Sequence, residues 1–302
     1  MNAEVKVAQA DDTSVPPLRR ATRVAYGFGS IADGIKSAAF STYLLLYFNQ
    51  VLGVPAAIVS TAIALTLAVD AIADPLIGRL SDRTRSRWGR RHPYIMGAAI
   101  PAGLFFALVW FPPQGLSDFA MGAWIFGMAS LARAAMSAYQ VPANALGSEL
   151  TQDYAERTRL YGLRYWFAYA GTFAFAAFAL TFFFVATPDY PKGQLNPAGY
   201  VPFALTGAAL IVISILVCGW GTRSRIPYIR QADDRPVVPG LMTHLREMVS
   251  AFRNRAFLTI FGSATLNGLP STLDANLDRF ALTEHVGLRF TRIPFTVLHA
   301  EA

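Results

Sequence analysis

Apolar residues run along this chain in blocks of about twenty, and charge clusters or Pro and Gly bound each block. A helix that crosses a bilayer needs about 20 predominantly apolar residues. Six blocks qualify, approximately 24–48, 58–80, 94–111, 119–146, 163–186 and 201–220. None shows the period-two alternation of a strand. In hydrocarbon a single helix satisfies its own backbone hydrogen bonds, so the pattern predicts helices. A seventh block begins near Ala256 and is interrupted by Asp274, Asp278 and Arg279. Before it, Leu241, Leu245, Met248, Val249 and Phe252 recur at helical spacing, with Arg246, Glu247 and Arg253 between them. That reads as an amphipathic surface helix, which can equally serve as a tether between bundles. The expected architecture is an all-α membrane protein: a tail over 1–23, a six-helix transmembrane bundle over 24–220, a linker over 221–255, and an incomplete seventh helix with an irregular tail over 256–302.

Composition agrees with the pattern. Hydrophobic residues make up 54% of the 302 positions and charged residues 15%, against about 25% charged in a soluble domain. The net charge of +7 does not imply nucleic acid, because the arginines lie between the apolar blocks. Arg19, Arg20 and Arg23 precede the first block. Arg83, Arg85, Arg87, Arg90 and Arg91 follow the second, Arg157 and Arg159 the fourth, and Arg223, Arg225 and Arg230 the sixth. The alternate loops are nearly bare of charge. The positive-inside rule puts the N-terminus in the cytoplasm of a multi-pass inner (plasma) membrane protein. Residues 1–17 are polar and lack the apolar core of a cleavable signal. Cys218 is the single cysteine, so no intrachain disulfide forms.

The informative residues are the charges inside the blocks. Asp70 and Asp74 stand one helical turn apart in the second, where a charge at mid-bilayer depth costs roughly 2.5–3.5 kcal/mol. At that spacing the carboxylates share one face, about 5–6 Å apart. At an effective dielectric of about 20 they repel by about 3 kcal/mol. Such a pair favours a proton or a metal cation between its members. Pro75 withholds a hydrogen bond from the Ala71 carbonyl, leaving a further oxygen beside them. Arg133 lies near the middle of the fourth block, one turn from Ser137 and two from Gln140. At that depth it needs a carboxylate, Asp70 or Asp33, and near the acids it competes with sodium. Asp33 and Lys36, three residues apart, can pair in the first block. Tyr139, Gln140 and Asn144 around Pro142 offer the mixed donors and acceptors that a sugar needs. His92, His244, His285 and His299 show no metal-ligand spacing and no paired nucleophile. These features point to a transporter, not an enzyme, with no cofactor.

Three stretches carry a resemblance: Tyr26-Gly-Phe-Gly29, Asp70-Ala-Ile-Ala-Asp74-Pro75, and Thr84-Arg-Ser-Arg-Trp-Gly89. Over about residues 20–225 the chain resembles the major facilitator superfamily, in its melibiose permease-like branch of glycoside–pentoside–hexuronide:cation symporters. The resemblance implies that Asp70 and Asp74 bind the coupling sodium or proton, with Ser137 at the position of a helix-4 hydroxyl. It implies that Arg164 contacts the sugar. Gln140 and Asn144 stand where the family has a helix-4 aspartate and tryptophan. The family's helix-1 aspartate aligns with Gly34, with Asp33 one position earlier. Asp33, Gln140, Asn144 and Arg164 are thus the substrate candidates, with Arg133 balancing charge. In the signature loop, Gly78 is expected to permit close helix approach and Asp82 to accept from Arg83 or Arg87. With Gly89 and Arg90 these residues form a loop that holds one conformation and releases another.

The resemblance also implies twelve helices in two bundles, of which this sequence supplies one and the start of another. Truncation or a shifted reading frame is the expectation, and a homodimer of halves is a remote substitute for the missing C-terminal bundle. The expected partners are the lipid bilayer and a small sugar or glycoside. The rival expectation is a non-transporting remnant or scaffolding membrane protein.

Overall fold

A computed structural model describes residues 16–229. The predicted linker helix and seventh block lie outside the described residues. Within them the chain is helical, with no strand. The first crossing is broken into α1 (Arg20–Phe28), α2 (Ile31–Ala38) and α3 (Leu44–Leu46). Gly29 and Ser30 form the first break, and π-helical turns at Ala39–Tyr43 and Tyr47–Val51 flank α3. The other crossings are α4 (Ala56–Arg83), α5 (His92–Val109), α6 (Asp118–Leu150), α7 (Tyr154–Phe178, continued by a π turn Ala179–Phe183) and α8 (Tyr200–Thr222). Five of these helical segments are long and apolar enough to span a membrane. The first, broken segment is not among them.

The apolar blocks marked the crossings but not their polar ends. The 33 residues of α6 extend about 50 Å, well beyond a hydrocarbon core of about 30 Å. Asp153 caps α7, its carboxylate accepting from the amides of Ala155 (3.0 Å) and Glu156 (3.3 Å). This cap starts the helix nine residues before the apolar pattern does.

Helix α6 packs between α4 and α5, and α8 packs against α5, α1 and α2. The pair α1 and α2 lies on α7. Small residues set these contacts. A Cβ on Gly34 would stand 2.2 Å from the Ala168 carbonyl oxygen and 2.7 Å from the Thr172 amide, so α2 and α7 touch backbone to backbone. At one end, Tyr47, Trp110, Tyr200 and Phe203 form a buried aromatic nest, with the Tyr47 hydroxyl donating to the Trp110 carbonyl at 3.1 Å. Arginines crowd the other end.

Candidate functional site

Helix α6 is the spine of the site. At 100° per residue, Arg133, Ser137, Gln140 and Asn144 fall within an arc of about 60°. Arg133 donates from Nη1 to Oδ2 of Asp70 on α4. Two turns along, Gln140 donates from Nε2 to Oδ1 of Asp33 on α2. Two intramembrane carboxylates therefore meet one face of one helix, at levels roughly 10 Å apart.

At the first level, Arg133 takes Asp70 and not Asp33, the two partners its depth had left open. The side chains of Arg133 and Asp70 are 18% and 27% exposed. Among the described residues, Asp70 Oδ1 and Arg133 Nε are buried and have no hydrogen-bond partner. Asp74 is exposed, 40° further round α4 by helical geometry. Ser137 is buried, and among the described residues no hydrogen bond joins it to either carboxylate. The expected cluster of Asp70, Asp74 and Ser137 is therefore open on the Asp74 side.

At the second level, Arg164 of α7 is buried. Its Nε donates to Ser30 Oγ at 3.0 Å and its Nη1 to the Tyr26 hydroxyl at 3.2 Å. Its Nη2 lies 3.8 Å from Asp33 Oδ2. The Tyr26 hydroxyl in turn donates to the Ala143 carbonyl at 3.0 Å. It fits because residue 147 is glycine: a Cβ there would stand 2.2 Å from the hydroxyl oxygen. Asp33 thus pairs across helices with Gln140 and Arg164. No ion pair to Lys36 is seen among the described residues. Asn144 is exposed, and its carbonyl accepts from the Tyr161 hydroxyl at 2.8 Å.

The sequence matches the family described as MFS/sugar transport protein over residues 25–288. The chain belongs to this sugar-transport family of the major facilitator superfamily. An uncharacterised symporter of Synechocystis is 34% identical over 203 residues, which is 66% of this chain and 37% of the relative. The inner membrane symporter YicJ of Escherichia coli is 28% identical over 79% of this chain and 50% of its own. The isoprimeverose transporter of Lactiplantibacillus pentosus is 26% identical over 72% of this chain and 45% of its own. The chain thus spans half or less of the length of these relatives.

In this major facilitator chain the loop between α4 and α5 is tied down by residues that the sequence reading missed. Asp82 meets Arg91 at 3.1 Å. Arg91 also contacts Glu149 at 2.6 Å, and Arg90 meets the same carboxylate oxygen at 2.5 Å. Arg87 is exposed. Gly89 has φ +76°, a left-handed turn that suits glycine. Gly78 does not serve close approach: a Cβ there would sit 3.5 Å from Val141 Cγ1, an ordinary contact. Glu149 had a signal in the sequence, an acid ending an apolar block beside arginine-rich loops. Ser30 had none, because its role depends on the break between α1 and α2.

Proposed function

We propose that this chain is part of a cation-coupled symporter of a small sugar or glycoside in the inner (plasma) membrane, with its N-terminus in the cytoplasm. It supplies the first bundle of the fold. Asp70 and Asp74, with Ser137 behind them, take the coupling ion, sodium or a proton. Asp33, Gln140, Asn144 and Arg164 contact the sugar. The Asp82–Arg91–Glu149–Arg90 cluster holds the cytoplasmic end of one conformation.

The observation that carries the reading is the shared face of α6. An ion that changes the Asp70–Arg133 contact acts on the same rigid helix that holds Gln140 against Asp33. A rotation or shift of α6 therefore reaches both levels. This is a route for the reciprocal coupling that symport requires. The relatives named as symporters and as an isoprimeverose transporter support the substrate class.

The test is uptake of labelled glycosides into proteoliposomes under an imposed sodium or proton gradient. It uses the protein with its second bundle restored from a relative. Asp70→Asn is expected to abolish accumulation against a gradient while leaving the protein folded. Undiminished accumulation by Asp70→Asn would refute the assignment.

A further inference from the structure

We propose that Arg133 is a tethered stand-in for the coupling metal ion and makes the carboxylate site on α4 blind to sodium. The inference rests on the ion-site reading above and decides between its two ions.

Three observations support it. The guanidinium already occupies one oxygen of Asp70, donating directly to Oδ2 from the facing helix α6. The remaining oxygen, Oδ1, is buried and has no protein donor, so a cation approaching Asp70 must bind beside the arginine. The other acid, Asp74, is exposed and cannot enclose an ion alone. Among the described residues, the charges at this level are thus Asp70 and Asp74 from α4 and Arg133 from α6.

Sodium needs several oxygen ligands and tolerates no cation at contact range. A sodium ion on Asp70 would lie about 4 Å from the guanidinium. At an effective dielectric of about 20, that repulsion weakens binding roughly a thousandfold. A site of millimolar affinity becomes one of roughly molar affinity, outside any physiological sodium concentration. Arginine keeps its charge throughout the biological pH range, so the block is permanent. The site's other candidate ion, the proton, needs no ligand shell and can sit on Asp74, the carboxylate to which Arg133 does not donate.

The test is equilibrium binding of radioactive sodium to the purified full chain in detergent, with choline as the balancing cation. Four forms are compared: the unsubstituted protein, Arg133→Gln, Arg133→Lys, and the charge-neutral double variant Asp70→Asn/Arg133→Gln. The unsubstituted protein is expected to bind no saturable sodium at or below 100 mM. Arg133→Gln is expected to gain a saturable site about a thousandfold tighter, and the double variant to lose it. Saturable millimolar binding to the unsubstituted protein overturns the proposal, and this arm needs no variant to fold. A folded Arg133→Gln with no sodium site, judged by circular dichroism and a monodisperse elution profile, overturns it too. Arg133→Lys, which keeps the charge, is expected to stay sodium-blind; a sodium site there overturns the electrostatic argument. Failure of the transport reading looks different: glycoside uptake is then absent, or indifferent to Asp70→Asn, whatever sodium binding shows.

Discussion

Gly34→Ala is the sharpest test of how α2 sits on α7. The added Cβ would lie 2.2 Å from the Ala168 carbonyl oxygen, 2.7 Å from the Thr172 nitrogen and 3.0 Å from the Gly171 carbonyl carbon. All three are backbone atoms, so no rotamer change relieves the clash. Restoring contact distances near 3.5 Å requires α2 and α7 to part by about 1 Å. Overpacking of this kind costs about 1–3 kcal/mol. The separation also breaks the bond from the Thr172 hydroxyl to the Gly34 carbonyl, 3.2 Å long, for about 1 kcal/mol more. The expected loss is about 2–4 kcal/mol. Gly127→Ala is the control: nothing lies within 4 Å of its added Cβ inside α6, and alanine there is expected to be neutral or to stabilise by roughly 0.5–1 kcal/mol. Reversible unfolding in mixed micelles with rising denaturant reads both. Equal midpoints for Gly34→Ala and the unsubstituted protein would show that the helices do not meet as described. Gly34→Asp, which restores the family's usual acid, is expected to be worse still.

Two further substitutions probe the site and the loop. Gly147→Ala crowds the Tyr26 hydroxyl (2.2 Å to the new Cβ), pushing away a flexible ring tip. Stability is expected to fall by only about 1 kcal/mol, while glycoside affinity drops about tenfold as Arg164 loses a charge-assisted bond of about 1.5 kcal/mol; a stability loss with unchanged affinity would separate Tyr26 from Arg164. Glu149→Gln leaves Arg90 and the buried Arg91 without their shared carboxylate, whose side chain is 12% exposed against 8% for Arg91. The expected cost is about 3 kcal/mol, read from the unfolding midpoint, and a shift under about 0.5 kcal/mol would show the cluster to be a solvated surface.

The two carboxylate levels also explain why the departures from the family pattern fall where they do. Position 34 has no room for a side chain, so the neighbouring Asp33 reaches across to Gln140 and Arg164. With Gln140 in place of an acid, a single carboxylate, Asp33, faces Arg164. At the other level Arg133 pairs with Asp70, and Asp74 is exposed. Each level is thus tied through α6, by Arg133 to α4 and by Gln140 to α2.

The amino-acid sequence alone determined the class of protein, the placing of the crossings and the short list of charged residues that matter. These are local properties: twenty apolar residues in a row, or an acid among them, have a transfer free energy that depends on little beyond their neighbours in the chain. Asp70 and Arg133 announced themselves in this way. Only the tertiary structure decided who meets whom. It chose Asp70 over Asp33 for Arg133, and it brought Gln140 and Arg164 to Asp33. It joined Arg91 and Glu149 to the Asp82 loop, and it left Asp74 exposed. Those choices depend on the rotation and separation of packed helices, which glycines at 34 and 147 set by letting backbone or a tyrosine hydroxyl approach. A distance between residues a hundred positions apart is written in no single stretch of the chain.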